Sequence, residues 1–440
     1  MPHDIVQVGL QHHKSGDEVG AAACYTAAIV GSDSAPTAWQ NLSVMAARDG
    51  HLTVAAVMMR KALQTTSNRL SALSNLGNIL WRIGEFTEAE AVLLEAQDLG
   101  PTEWIVQHNL GLLNLAQGRF DLAIEHMKRA MGTAPREMFS KICNDMGCAT
   151  LAAGDLGLGF KLTEPEWNMP NTPVWLMGFP EWTGKEDLKG ARILVHHNQG
   201  AGDTLQFCRF LPKLRALGPK RVIVAVPYSL KRIVQESFNW LDVVDINEAL
   251  PKADLHVGMG TLPVRLGITR DDVKGDRYLR AGVVASKSKS IGIVWSANQK
   301  NRTGKERSIP LEAMLQLALV PGAKLYSLQV GDAVADIERL GADLLVKDLS
   351  PRIRDFYDLA CLMQGMDLVV SADTAPLHLA AGLGFPCLGL MSYVGADWRW
   401  GARGTETSYW YSPKLKLVWQ QNPNEPWTSV VSRAMELIEL

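Results

Sequence analysis

NLGNILWRIGEFTEAEA at residues 75–91 and NLGLLNLAQGRFDLAIE at residues 109–125 decide the fold of the first third of this chain. Overlaid, they match Asn75 with Asn109, Leu76 with Leu110, Gly84 with Gly118, Phe86 with Phe120 and Ala89 with Ala123, always 34 residues apart. The same step reaches back to Asn41, Leu42, Gly50 and Ala55, then to Gly16 and Ala21, and it joins Pro101 to Pro135. A small residue closing one helix and an alanine packed inside the next spell a helix–turn–helix hairpin. Such a hairpin cannot bury its apolar face alone, so neighbours stack into an all-α solenoid whose concave side is open to a partner. The pattern predicts hairpins at 37–66, 71–99 and 105–132, with a partial pair before and another after, and places the solenoid at residues 1–160. In the last pair the spacing slips to 36, from Gly111 to Gly147 and from Gly118 to Gly154, as in an atypical capping repeat.

Composition sets the remaining bounds. A chain of 440 residues has room for two or three domains with substantial cores. With 47% apolar and 20% charged residues it reads as an ordinary soluble protein, and a net charge of −2 gives no reason to expect nucleic acid or an anionic membrane as partner. Cys24, Cys143, Cys148, Cys208, Cys361 and Cys387 are scattered without a CxxC pair, which suits reduced thiols rather than disulfides or a zinc site. The opening MPHDIVQVGLQHHKSGDEVG lacks a basic stretch followed by an apolar core, so no secretory signal is expected. No apolar run is long enough for a transmembrane segment, and the expected compartment is the cytoplasm.

Residues 161–190, rich in Pro, Trp and Gly, carry neither helical nor strand period and are assigned to a linker. Its tryptophans predict packing against something, since a free linker would be polar. From Ala191 onward short apolar runs alternate with helical stretches. Strands are predicted at 191–197, 221–226 and 242–246, and again at 290–297, 324–330, 344–348, 367–373 and 386–391. Strands alternating with helices imply right-handed crossovers and parallel sheets. A polar, broken stretch at 264–289 marks a boundary, giving two consecutive Rossmann-like α/β units at 191–285 and 286–440 with a cleft between them. Ligands of such sheets bind beyond the carboxyl ends of the strands.

Three segments carry chemistry there. In HHNQGAGDTLQF (196–207), Gly200 and Gly202 permit a tight turn and Asp203 stands at a helix start. Asp203 reads either as a helix cap or as a base taking a proton from an acceptor hydroxyl. A dinucleotide fingerprint is disfavoured, because the third glycine is missing and no carboxylate closes the second strand at Val226-Pro227-Tyr228. In WSANQKNRTGKERSIP (295–310), Lys300, Arg302, Lys305 and Arg307 form either a solvated loop or a diphosphate site. In DLVVSADTAPLHLAAGLGFPCLGLM (367–391), a buried strand ends in Asp373-Thr374 and a helix starts at once, with His378 one turn in. Thr374 and the helix amides suit a phosphate; the plainer reading of His378 is packing. In DWRW (397–400), the aromatics suit domain contacts, and Arg399 could reach a phosphate or a sugar.

The repeats resemble the tetratricopeptide repeat (TPR). GAGDTLQFCRFLP, VWSANQKNRTGKERSIPL, YSLQVG, SADTAPLHLAAGLGFPCLGLM and DWRWGARG, in that order across most of residues 180–440, resemble bacterial TPR-linked glycosyltransferases of the heptosyltransferase-like family 9, which have the GT-B fold. TPR arrays also precede enzymes similar to O-GlcNAc transferase. The resemblance implies Asp203 as the general base, Lys300 and Arg307 at the donor phosphate, and Asp373, Thr374 and His378 around the donor diphosphate and sugar. The sequence departs from heptosyltransferases at Ala375-Pro376, where they have Gly after Asp-Thr, a change that would narrow the space beside the phosphate. It departs from TPR-linked relatives at Gln299, where they have Pro.

The expected protein is therefore α + α/β, a TPR solenoid followed by a GT-B glycosyltransferase. It would take a nucleotide-activated sugar as donor, with no cofactor and no metal, and the family's expected outcome is inversion. The solenoid would recruit the acceptor, a protein such as flagellin or else a glycan. The rival reading is a non-catalytic TPR scaffold or sugar-nucleotide-binding module on the same fold.

Overall fold

The computed structural model describes residues 2–31, 35–167, 178–198, 200–283, 289–298 and 304–438. They form two compact units, Met1–Met146 and Gly147–Leu440.

The described residues of the first unit form helices joined by turns. Its hairpins pair α1 (Pro2–Lys14) with α2 (Glu18–Gly31), α3 (Pro36–Arg48) with α4 (Leu52–Leu63), α5 (Arg69–Arg82) with α6 (Phe86–Leu99), and α7 (Trp104–Ala116) with α8 (Phe120–Thr133). Helix α9 (Phe139–Ala152) follows, and the division between units falls within it; α10 (Leu156–Trp167) belongs to the second unit. The periodic residues have the roles their spacing implies. Gly16, Gly50, Gly84, Gly118 and Gly154 occupy the turns between paired helices, all with φ between 75° and 96°, a region that L side chains avoid. Ala21, Ala55, Ala89 and Ala123 are wholly buried. Successive hairpins are stitched by polar contacts, with Asn109 Nδ2 donating to the Ser74 carbonyl (3.1 Å) and hydroxyl (2.9 Å). Helices within a hairpin approach so closely that a Cβ at Gly111 would lie 2.7 Å from Met127.

The second unit holds two parallel sheets. The first contains β1 (Arg192–His196), β2 (Arg221–Val226), β3 (Asp242–Asp245) and β4 (Leu255–Gly258), in the order β3-β2-β1-β4. The second contains β5 (Ser290–Val294), β6 (Lys324–Ser327), β7 (Val346–Asp348), β8 (Leu368–Ala372), β9 (Cys387–Met391) and β10 (Leu415–Trp419), in the order β10-β9-β8-β5-β6-β7. Every pairing between these strands is parallel. Counted along its own sequence, the second sheet is wound 6-5-4-1-2-3, so the winding reverses between β5 and β8; in the first sheet it reverses between β1 and β4. Crevices beyond those strand ends are where doubly wound sheets take ligands.

All eight predicted strands are present, and β4 and β10 are additions. Both are short edge strands, β4 interrupted by His256 and β10 by Lys416, so neither gives the unbroken apolar run that marks a strand buried on both faces. The predicted linker is largely structured. Helix α10 extends through its first residues, and Pro180–Trp182 lies along β4, with the His256 amide donating to Pro180 O (3.0 Å) and the Trp182 amide to His256 O (2.7 Å). Trp182 is buried and its indole donates to Glu186 O at 3.1 Å, whereas Trp175 falls outside the described residues. The polar stretch between the sheets also packs inward. The Tyr278 and Leu279 amides both reach Gly382 O at 3.1 Å, and Gln364 Nε2 donates to Ala281 O at 2.9 Å.

One continuous core runs between the sheets, drawing Val195 and Val224 from the first and Val369 and Leu417 from the second. Leu151, Leu156 and Phe160 join it, so the last helical hairpin shares the interior of the α/β body. Phe160 is 1% exposed and meets Phe207, Trp398 and Trp410 with ring centroids 6.0, 5.9 and 6.3 Å away. Emptying so filled a position costs about 3–5 kcal/mol. Phe160→Ala should lower the urea midpoint of the α/β body accordingly, followed by tryptophan fluorescence. An unchanged midpoint would show that α10 is dispensable to that core.

Candidate functional site

β1 delivers the chain to Gly200, and α11 (Ala201–Phe207) starts at once. Gly200 has φ −72°, which any residue adopts, so its sequence-level role in a special turn is not what the backbone uses. Asp203, at the third helical position, accepts from the Gly200 amide through Oδ2 at 3.1 Å, which is the capping role. Its other oxygen, Oδ1, is 3.1 Å from Arg399 Nη2 and 3.2 Å from Gln206 Nε2. The carboxylate is therefore both a cap and a member of an ion pair, and with 27% of its side chain exposed it keeps access to solvent. Burial raises its proton affinity above the ordinary carboxylate value; Arg399 opposes this and Asp397 adds to it.

Gly202 serves a close approach. A Cβ there would lie 2.9 Å from His378 Cδ2 and 3.7 Å from the Ala375 Cα. The loop after β1 thus meets the helix Ala375–Gly382 that follows β8, bringing the active ends of both sheets together. His378 is buried in that contact. Its Nδ1 bonds the Tyr411 hydroxyl at 2.7 Å and its ring stacks on Trp400 at 4.7 Å, so the packing reading describes most of what it does. Burial, reinforced by Arg399, pushes its pKa down to about 3, leaving it neutral at physiological pH.

Asp373 closes β8 at the winding reversal of the second sheet. Its Oδ2 is buried without a hydrogen-bond partner among the described residues. Arg307, at the end of the basic loop after β5, donates from Nη1 to the Asp373 carbonyl at 3.0 Å and comes within 3.7 Å of that carboxyl oxygen. The predicted meeting of basic loop and Asp-Thr turn therefore occurs through Arg307, while Lys300 and Arg302 lie outside the described residues. Thr374 takes the N-cap position without capping; its hydroxyl donates to Ala372 O at 3.3 Å. The Leu377 and His378 amides are directed to Thr374 O (3.0 and 3.4 Å), and Pro376 has no N–H, so the Ala375 amide is the one this helix start offers an anion.

Arg399 is 4% exposed and bridges Asp203 to Asp397, whose Oδ2 it meets at 2.7 Å. Burial disfavours a charged Asp397, yet the Arg399 guanidinium and amide hold that carboxyl below the ordinary value. Asp397, Trp400 and Tyr411 were not singled out as site residues from the sequence. The signal was the DWRW quartet, whose acid comes two residues before its arginine. Gln329 was also missed: from the end of β6 it accepts from the Trp295 and Ser296 amides at 3.1 and 2.9 Å, pinning the start of the basic loop.

Residues 68–136 match the tetratricopeptide repeat, and residues 333–432 match glycosyltransferase family 9 (heptosyltransferase). This chain therefore carries one segment similar to TPR repeats and another similar to family 9 glycosyltransferases. Asp373, Thr374, His378, Asp397 and Arg399 fall inside the family 9 match; Asp203 and Arg307 fall before it. Protein FlbA of Caulobacter vibrioides is 24% identical over 401 residues, covering 83% of this chain and 66% of that protein, so the chain spans just under two thirds of that relative. The crystal structure of MamA is 20% identical with a TM-score of 0.30, over 37% of this chain and 85% of that one. A thermophilic TPR protein of Thermus thermophilus is 18% identical with a TM-score of 0.34, over 40% of this chain and 95% of that one.

The buried Asp373 carboxyl, with Arg307 3.7 Å from its Oδ2, has a measurable signature. Burial raises it to about 6 from an ordinary 3.8. The unfolded chain releases this proton first, so ionisation favours unfolding, and the associated stability is present below 3.8 and lost as pH rises through about 6. Asp373→Asn should be more stable than wild type at pH 8, on the order of 3 kcal/mol, with the gain gone by pH 4. Urea melts across that range test it, and a gain independent of pH would refute a raised carboxyl.

Proposed function

We propose that this protein is a glycosyltransferase that moves a sugar from a nucleotide-activated donor to an acceptor hydroxyl. The observation that carries this reading is the winding reversal of the second sheet, where Arg307 and the buried Asp373-Thr374 turn converge beyond the strand ends. The donor diphosphate would lie against Arg307, Thr374 and the Ala375 amide, with Lys300 and Arg302 of the same loop contributing charge that offsets the departing nucleotide. Asp203, presented from the first sheet within reach of the same region, would take the proton of the attacking hydroxyl. Inversion and independence of metal come with the family resemblance. The TPR repeats would recruit the acceptor, a protein in this reading, because stacked hairpins present an extended concave face suited to a chain.

The direct test begins with titration of ADP, UDP, GDP and CMP against wild type and Thr374→Ala. Selective binding weakened by that substitution names the nucleotide; binding by none of them favours the scaffold reading. With the matching sugar nucleotide and EDTA present, wild-type turnover should persist. Asp203→Asn should lower turnover by about 10²–10⁴-fold while leaving nucleotide affinity unchanged. Equal loss of both would remove Asp203 from the role of base.

The repeats are tested separately. Leu151, Leu156 and Phe160 belong to the α/β core, so the informative truncation removes residues 1–135 and leaves α9 and α10 intact. It should abolish transfer to a protein acceptor and spare donor hydrolysis. Parallel loss of the two activities would make the repeats structural only.

A further inference from the structure

Arg399 is one cation serving two carboxylates. Its Nη1 donates to Asp397 Oδ2 at 2.7 Å and its Nη2 to Asp203 Oδ1 at 3.1 Å, so the Asp397 bond is the shorter. The guanidinium lies 4.4 Å over the Trp398 ring and 5.3 Å from that of Phe207, and its Nε has no hydrogen-bond partner among the described residues. Asp397 also fixes the local turn, accepting from the Arg399 amide through Oδ1 at 3.0 Å. A guanidinium is a rigid planar fork, so rotation that strengthens one of these bonds weakens the other.

We propose that Asp397 and Arg399 act as a positioning pair for Asp203, with Asp397 governing how firmly Arg399 grips the Asp203 carboxylate and hence how readily that carboxylate accepts a proton. The inference rests on the reading of Asp203 as the base, and it assigns Arg399 to the base rather than to the donor phosphate. Asp397 draws the guanidinium towards itself, which leaves Asp203 oriented yet still basic. Without Arg399, a half-buried Asp203 would face Asp397 with no cation between them.

The described groups facing Asp203 are few. Gly200, just before α11, and Gln206 within it contribute hydrogen bonds, and Arg399 and Asp397 contribute charge from the segment after β9. His378, on the helix packed against α11, is kept neutral by burial, and burial likewise lowers His197, which bonds Thr204 Oγ1 at 2.7 Å. The two charged neighbours act in opposite senses, Arg399 lowering the proton affinity of Asp203 and Asp397 raising it. Removing each should therefore move Asp203 in opposite directions, whereas a merely structural role for the pair gives no reason for opposite signs.

The experiment is a pH titration of the full-length protein carrying ¹³C-carboxyl-labelled aspartate, followed by NMR, with Asp203→Asn identifying the Asp203 resonance. In Arg399→Gln the Asp203 midpoint should rise by about one pH unit or more. In Asp397→Asn, which keeps the turn-capping oxygen, it should fall. Arg399→Lys retains the charge without the fork and should bring the midpoint back towards wild type. Midpoints that stay put, or that move the same way in Arg399→Gln and Asp397→Asn, overturn the proposal. Should Arg399→Gln fail to fold, judged by its thermal melt, Asp397→Asn decides alone, a fall supporting the proposal and anything else refuting it. Undiminished turnover in Asp203→Asn would defeat the base reading and leave opposite midpoint shifts standing, so the two failures are distinguishable.

Discussion

Gly202 lacks a side chain where His378 comes closest, and the geometry of the candidate site depends on that gap. A Cβ would force α11 away from the helix after β8, since the His378 ring is itself held by Trp400 and Tyr411 and has nowhere to move. With the gap in place, the ends of two separately wound sheets come into contact. The carboxylate of one sheet then lies within a hydrogen bond of an arginine supplied by the other. Residues 196 apart in sequence thereby share one electrostatic environment, and neither sheet alone contains it.

Much of this was legible in the sequence. The 34-residue step located the turns, because a positive φ admits glycine far more readily than any other residue, and it located the inner alanines, because two helices cannot close over anything larger. The apolar runs located the strands buried on both faces. They missed β4 and β10, edge strands interrupted by a polar residue, and the docking of Pro180–Trp182, which uses backbone bonds that leave no pattern in side chains. At the site, Asp203, Asp373 and Thr374 stand just beyond strands, where parallel topology places ligand-binding groups, and Arg307 closes the loop that follows β5. The Arg399 bridge and the commitment of His378 to Tyr411 were not legible. Both depend on contacts across the chain, and local spacing carries no information about those.

The charge balance around the turn after β8 is unusual for a protein interior. The described carboxylates are Asp203, Asp373 and Asp397, and the described guanidiniums among them are those of Arg307 and Arg399. Buried ion pairs are weak contributors to stability, and a buried carboxyl oxygen with no hydrogen bond, such as Asp373 Oδ2, lowers it. Natural proteins tolerate such losses where function needs a reactive or ligand-hungry group. If a diphosphate is the ligand, Arg307 and the other cations of the loop sequence, Lys300, Arg302 and Lys305, are the ones to meet it, because Arg399 is already divided between two acids.

The sharing of one interior by α10 and the end of the chain also bears on biosynthesis. Phe160 leaves the ribosome about 250 residues ahead of Trp410, its aromatic neighbour, a delay on the order of 10–50 s at usual rates of synthesis. Until then the apolar face of the last hairpin lacks its cover from Trp398 and Trp410, although Phe207 arrives sooner, while the preceding repeats make mostly local contacts and can fold as they emerge. The nascent chain is therefore a finished solenoid trailing an unfinished core, and a premature stop before residue 410 would leave part of that face open to chaperones or to aggregation.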